Sequence, residues 1–365
     1  MRRVITQPRQ NWQQRCQAVG FNFDFDGSYY QENAYYLFSP SQIEVLENAI
    51  NTLNEMAIAA VQHVIDRNLF AKLGITPLGA ELCRRSWQED EPTLYGRFDL
   101  FYDGKSAPKL YEFNADTPTS LLEAAVLQWD WLEDEFPHDD QFNALHEKLV
   151  DAWRFMPNHR GLTHFLYIDD SAEDYTNVCY LADTAHQAGR EVAILPISQL
   201  GWDGNEFVDE QERRIEVAFK LYPWEWLTRE EFGRHLLTSR VKWVEPPWKM
   251  ILSNKGILPI LWSLYPNHDN LLPAYFEPRD SFVRKPLLSR EGANIRLPNG
   301  IETEGNYGEE GYVWQAFCPL PNLQGNYPVI GGWVVGDEAV GMGIRESDGL
   351  ISTNLSRFVP HVMAR

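Results

Sequence analysis

Cysteine is scarce in this chain. The four present, Cys16, Cys83, Cys179 and Cys318, lie far apart and form no C-x-x-C pair. That argues against a zinc knuckle or a dithiol redox centre and leaves four buried, reduced thiols as the reading. None of the nine histidines falls in an H-E-x-x-H. No apolar run approaches the about 18–20 residues of a membrane span. Met1-Arg2-Arg3-Val4 leads into no apolar segment and no cleavage site, so no secretory leader is expected and the chain reads as cytoplasmic. Positive charge is short as well. Lys and Arg number 32 against 52 Asp and Glu, a net charge of −20, which disfavours nucleic acid or an anionic membrane as a partner. Such a surface attracts cations, a polyamine among them, and equally serves plain solubility.

Apolar material, by contrast, is plentiful. Hydrophobic residues make up 44% of 365 residues and aromatics 13%, with 13 Trp, enough core for one large domain or two intimately packed ones. Residues 41–69 are predicted as a long helix, opened by a Ser41-x-x-Glu44 capping box and striped by Ile43, Leu46, Ile50, Leu53, Ile58, Val61 and Val64. Residues 97–102 and 109–114 read as a hairpin turning at Asp103-Gly104. A helix from Ser120 to about Glu135 follows, behind a second box, Ser120-x-x-Glu123. Residues 164–168, 171–188 and 190–197 read as strand, helix and strand of a parallel unit, without the G-x-G-x-x-G of a dinucleotide fold. A strand at 213–221 and a helix at 228–237 come next. Residues 281–287, 311–317, 327–335 and 338–344 read as an antiparallel sheet. The expected class is mixed α+β and α/β around a cleft. Residues 1–160 would carry the hairpin and helices, 161–245 a central α/β subdomain and 246–365 the last sheet.

Four stretches carry chemistry. In Gly96-Arg97-Phe98-Asp99 and Tyr111-Glu112-Phe113-Asn114-Ala115-Asp116, side chains alternate along each strand, so Arg97 and Asp99 share a face, as do Glu112 and Asn114. If the hairpin register agrees, all four project to one side, and Phe98, Tyr111 and Phe113 turn into the core. Two carboxylates and a carboxamide oxygen suit Mg²⁺, and Arg97 suits a transferring phosphoryl group. A solvated charged face is the alternative. Lys285, in Val283-Arg284-Lys285-Pro286, is followed by the polar loop Ser289-Arg290-Glu291-Gly292-Ala293-Asn294, whose backbone N–H groups could cradle phosphates. An exposed turn serves equally. Lys255 opens an apolar helix, and Gln315 sits in the apolar strand Tyr312-Val313-Trp314-Gln315-Ala316. Spacing alone makes neither of these a binding residue.

Together these pieces resemble the synthetase domain of the glutathionylspermidine synthetase family, ATP-grasp ligases of circularly permuted order. The likeness spans nearly the whole chain. It rests on Arg97-Phe98-Asp99, Tyr111-Glu112-Phe113-Asn114-Ala115-Asp116, Asn254-Lys255-Gly256-Ile257-Leu258-Pro259 and Lys285-Pro286 with Arg290-x-Gly292. The resemblance implies an ATP-grasp fold with ATP and Mg²⁺ as cofactors. Asp99, Glu112 and Asn114 match the magnesium ligands, and Arg97 the arginine at the reacting phosphate. Lys255 and Lys285 match the ATP-phosphate lysines. Glu291-Gly292 match the phosphate loop, and Gln315 the strand bordering the nucleotide. Thr117 and Thr119 stand where hydroxyl residues flank the acid substrate, and Arg290 on a mobile loop over it. Glu173 and Asp174 fall where two acidic residues sit near peptide and polyamine, although Asp174 equally completes a Ser171 capping box. With 365 residues, no amidase domain like that of the bifunctional members is expected here. Leu221 and Trp226 replace hydroxyl residues that hold glutathione in the family, so the acid pocket is expected to be more apolar and the acid to differ from glutathione.

The resemblance implies amide formation between a small carboxylate and an amine through an acyl phosphate, because hydroxide is too poor a leaving group for direct condensation. A non-catalytic nucleotide binder of the same fold and a phosphotransferase or ATPase are the rivals, separated by product: amide, no turnover, or a phosphorylated species.

Overall fold

The computed structural model describes residues 1–22, 28–157, 161–353 and 356–364. Its longest helix, Pro40–Asp66, buries Ile43, Leu46, Ile50, Leu53, Ala57, Val61 and Val64 along one side. The i, i+3, i+4 stripe of apolar residues dictates that face. Its cap differs from the expected one. Ser39 is the N-cap, with Gln42 completing the reciprocal box, and Ser41 only pairs its hydroxyl with that of Ser39. Pro40 at the first helical position pre-sets the turn and displaces the start by two residues.

This helix packs on the centre of a five-stranded antiparallel sheet. The strand order is Arg357–Val359, Glu338–Ser347, Tyr327–Val335, Tyr95–Phe101, Lys109–Asn114. A separate three-stranded antiparallel sheet has the order Ala274–Tyr275, Tyr312–Ala316, Phe282–Pro286. The sequence pattern joined the last four strands in one sheet. In the structure they divide, because Tyr327–Val335 pairs with Tyr95–Phe101 of the distant hairpin rather than with Tyr312–Ala316.

A parallel four-stranded sheet, Lys242–Val244, Val217–Lys220, Leu162–Tyr167, Glu191–Pro196, carries the helix Ala172–Gln187, as the strand–helix–strand reading expected. The helix expected at 228–237 is instead one short turn, Trp224–Leu227, and a 3-10 segment, Glu231–His235. A small mixed sheet, Arg2–Ile5, Ala34–Phe38, His361–Met363, ties the first strand of the chain to the last.

The second predicted capping box does not form. Ser120 has a positive φ of 69° and shares a hydroxyl–hydroxyl hydrogen bond with Tyr29. Glu123 begins a π-helical segment, Glu123–Leu127, that runs into the helix Gln128–Glu135. Among the described residues, no helix is long and apolar enough to cross a membrane.

Candidate active site

The hairpin strands Tyr95–Phe101 and Lys109–Asn114 pair so that Arg97 lies opposite Asn114 and Asp99 opposite Glu112. All four side chains therefore share one face, as the alternation predicted. Phe98 and Phe113 stack on the other face, centroids 3.7 Å apart. Tyr111 does not join them. The register shifts between Asp99 and Leu100, and the bulge turns Tyr111 outward, where its hydroxyl donates to the Cys318 carbonyl at 2.8 Å. A bulged residue loses its cross-strand partner and with it the alternation.

Asp99 is the hub of the quartet. It accepts from Arg97 Nε at 2.7 Å, from Asn114 Nδ2 at 3.2 Å and from Arg345 Nη2 at 2.6 Å. Burial pushes its pKa up, but the two guanidiniums outweigh burial and hold it down at about 2. Glu112 pairs with Lys255 Nζ at 3.1 Å. Burial opposes its ionisation too, and Lys255 and Lys285 keep it below the usual carboxylate range. Lys285 Nζ donates to the Tyr111 carbonyl at 3.0 Å and to Gln315 Oε1 at 2.7 Å, with its pKa lowered by burial to about 8. Gln315 is held on both sides, since its Nε2 donates to the Leu110 carbonyl at 2.8 Å. Arg97 also reaches the Thr119 carbonyl at 2.7 Å. Gly331 makes room for it, since a Cβ there would sit 2.9 Å from Arg97 Cδ.

Two cavities meet at this quartet. One, about 690 Å³, is lined by Val283, Lys285, Ile295, Leu297, Gln315 and Val329, an apolar slot between the two antiparallel sheets. The other, about 2060 Å³ and open to solvent, is lined by Arg97, Asn114, Thr117, Thr119, Arg290 and Arg345 with the acidic wall Glu173, Asp174 and Glu225. They share Asp99, Glu112, Gly292 and Ser352. Glu291 and Gly292 both have positive φ, 52° and 70°, and a Cβ on Gly292 would lie 2.5 Å from the Ser352 carbonyl. Backbone in this conformation forms an anion-binding concavity, so the loop fits a phosphate.

Among the described residues no three His, Cys, Asp or Glu side chains converge on a metal position. The Asp99–Glu112–Asn114 set has two carboxylates and one carboxamide. It fits Mg²⁺, which accepts few protein oxygens and fills its shell with phosphate and water.

Arg290 Nη2 donates to Thr117 Oγ1, and its guanidinium lies 5.2 Å from the centroid of Trp226. Leu221 contradicts the expectation of an apolar acid pocket. It is 2% exposed and packed in the core under the parallel sheet, because the parallel strand continues through it, with its N–H on the Leu166 carbonyl at 2.8 Å. Trp226 lines neither cavity and meets the chamber only through Arg290, whose guanidinium lies over its ring. Asp174 does only half of the capping expected of it. Its N–H donates to Ser171 Oγ at 3.2 Å, and its carboxyl lines the cleft, raised to about 6 by burial and by Glu173. Asp116 is buried at the cleft floor, accepting from Lys220 Nζ at 2.6 Å and from the Trp224 N–H at 2.9 Å.

Sequence reasoning missed Arg345 and Glu225. Arg345 lies directly opposite Val329 in the sheet, past the expected strand end at 344; it is the one basic residue in the strand Glu338–Ser347, which was the available signal. Glu225 lies in a stretch read only for Leu221 and Trp226.

Residues 3–364 match the family described as glutathionylspermidine synthase preATP-grasp. A candidate acid–amine ligase of Haemophilus influenzae is 43% identical over 99% of both chains. The bifunctional glutathionylspermidine synthetase/amidase of Escherichia coli is 30% identical, covering 91% of this chain and 59% of that one. Trypanothione synthetase of Crithidia fasciculata is 29% identical, covering 74% and 47%. This chain therefore spans about half the length of those last two. Among solved structures, a glutathione synthetase-like effector from Globodera pallida superposes with a TM-score of 0.57 over 98% of both chains at 11% identity, a likeness of fold.

Proposed function

This chain belongs to the glutathionylspermidine synthase preATP-grasp family, and from that premise we propose that it is an ATP-dependent ligase joining a small carboxylate, a peptide or amino acid, to an amine through an acyl phosphate. We read the order of its parts as that of a circularly permuted ATP-grasp fold. The observation that carries the proposal is the meeting of the two cavities at Asp99 and Glu112. A nucleotide in the slot between the sheets would present its terminal phosphate to an acid held in the larger chamber.

Asp99, Glu112 and Asn114 would hold Mg²⁺, which when bound neutralises phosphate charge in the transition state. Lys255, paired with Glu112, and Lys285, which lines the slot, would bind phosphate oxygens as point charges. Arg97 and Arg345 stand over the transfer position, where fixed donors stabilise developing charge. Thr117 and Arg290 orient the carboxylate. Glu173, Asp174 and Glu225 attract the cationic amine. The three-stranded sheet of Ala274–Tyr275, Tyr312–Ala316 and Phe282–Pro286, serving as a lid, and the loop bearing Arg290 would exclude water, which protects the acyl phosphate from hydrolysis.

The test is a matrix of small peptides and amines with Mg²⁺-ATP, read as ADP release and as amide by mass spectrometry. Amide formed stoichiometrically with ADP supports the reading. ADP without amide, or a stable phosphorylated product, overturns it. Glutathione with spermidine belongs in the matrix, since efficient conjugate formation would return the chain to the activity of the bifunctional relatives.

A further inference from the structure

The residue left over by this account is Glu123. It is 0% exposed, and neither carboxylate oxygen has a hydrogen-bond partner among the described residues. A buried carboxyl without partners is expensive to keep. It also begins the π-helical turn Glu123–Leu127. Such turns re-aim side chains off the regular stripe and recur at functional sites.

The groups that face Glu123 come from separate elements. Tyr29 comes from the segment between the strands Arg2–Ile5 and Ala34–Phe38, Glu173 from the first turn of Ala172–Gln187 and Arg97 from the hairpin. Arg345 faces the same Tyr29. Asn177 fixes this arrangement. Its Oδ1 accepts from the Leu121 N–H at 3.1 Å, and its Nδ2 donates to the Glu173 carbonyl at 3.0 Å. Tyr29 and Ser120 share a hydroxyl–hydroxyl bond of 2.8 Å. Both line the large chamber beside Glu173 and Asp174.

We propose that Glu123 is the proton acceptor for the attacking amine, reached through the Ser120–Tyr29 hydroxyl pair. This rests on the ligase reading of the site. The amine arrives as an ammonium ion, drawn by the acidic wall, and cannot attack until it loses a proton. That proton passes to the Ser120 hydroxyl as the Ser120 proton moves to Tyr29 and, once the Tyr29 hydroxyl closes on the carboxylate it faces, the Tyr29 proton to Glu123. The ammonium becomes a free amine and the carboxylate a carboxylic acid. The amine then forms the C–N bond, the C–O bond to phosphate breaks, and the second nitrogen proton leaves with phosphate as hydrogen phosphate. Burial, with a contribution from Glu173, holds the Glu123 pKa up at about 7, so near neutrality about half the molecules carry the accepting carboxylate.

The test compares two nucleophiles on one enzyme. Hydroxylamine is unprotonated at neutral pH and needs no acceptor; propylamine and spermidine are protonated and do. The acid is the small peptide that gives most hydroxamate with wild-type enzyme and Mg²⁺-ATP. In Glu123→Gln the ratio of alkylamine to hydroxylamine turnover should fall about 100-fold. The rising limb of the alkylamine pH profile should also move from near 7 toward the pKa of the amine. Tyr29→Phe should lower the same ratio and covers the case in which Glu123→Gln does not fold. An unchanged ratio in both variants, with the pH limb in place, overturns the proposal. Hydroxamate from no acid at all would overturn the ligase reading itself, a result distinct from an unchanged ratio.

Discussion

The guanidinium of Arg290 lies over the indole of Trp226, 5.2 Å from the ring centroid, while its Nη2 donates to Thr117. One side chain thus bridges the loop that follows the lid strand, the end of the hairpin and the short helix Trp224–Leu227. A cation–π contact of this kind contributes about 0.5–2 kcal/mol. Trp226→Leu keeps the bulk and removes the ring, so KM for the acid should rise roughly 2–30-fold with KM for ATP unchanged. Steady-state ADP release checks both; equal rises would show that Trp226 supports the fold and not Arg290.

Glu112 tests the metal assignment more cleanly than Asp99. Removing Asp99 strands Arg97 and Arg345, two cations that it holds at 2.7 and 2.6 Å, and a buried charge left unpaired costs about 3–5 kcal/mol of stability. Glu112 answers only to lysines that phosphate can satisfy. Glu112→Ala should cut Mg²⁺-ATP turnover by about 10²–10³-fold while the protein stays folded, and Asn114→Ala should follow it. Near-wild-type ADP release from Glu112→Ala at saturating Mg²⁺ would refute the assignment.

Lys285→Met should weaken ATP far more than adenosine, because the lysine holds only protein acceptors, Tyr111 and Gln315, until phosphate arrives. Calorimetry with the two ligands decides: comparable losses for both would mean that Lys285 braces Gln315 and the slot rather than the phosphates.

Asp174 carries a pH signature. Its folded pKa is raised to about 6 by burial and Glu173, against about 3.9 in an unfolded chain. The folded state therefore binds the proton more tightly, and stability falls as pH rises from about 4 to about 6. Above that window the ionised carboxyl costs up to about 3 kcal/mol. Asp174→Asn should raise Tm at pH 8, leave it nearly unchanged at pH 4, and weaken amine binding. A Tm difference independent of pH would show that Asp174 does not titrate as described.

Glu173 lies on the cleft outside any cap and so isolates electrostatics. Glu173→Gln should raise the amine KM with ATP affinity unchanged. Added salt should raise the wild-type amine KM, because screening acts within about 10 Å at 0.1 M. A salt series that leaves KM flat would remove the acidic wall from amine binding.

The quartet on the hairpin was half legible in the sequence: two-fold strand alternation set Arg97 with Asp99 and Glu112 with Asn114, and the register that joins the two pairs on one face came from the structure. Tyr111 was misplaced for the same reason, since alternation fails at a bulge that leaves no mark in composition. Ser120 and Glu123 matched a capping box in spacing, but a positive φ at Ser120 and a π turn at Glu123 lie beyond what spacing encodes. Arg345 reaches Asp99 across 246 residues of chain. Such non-local pairing also hid the small sheet in which Ala34–Phe38 runs parallel to His361–Met363. Leu221 and Trp226 looked equivalent in sequence; a strand swallowed one and a helical turn presented the other.

The Lys220–Asp116 pair joins the parallel sheet to the end of the hairpin, with both side chains at most 3% exposed. Pulling those two parts of the molecule apart would strip a buried charge pair of its direct partner in a medium that solvates ions poorly. The hinge of any opening motion therefore lies elsewhere. On the ligase reading the parallel sheet and the hairpin would stay together as one wall, and traffic of acid, amine and nucleotide would fall to the three-stranded sheet and the loop that carries Arg290.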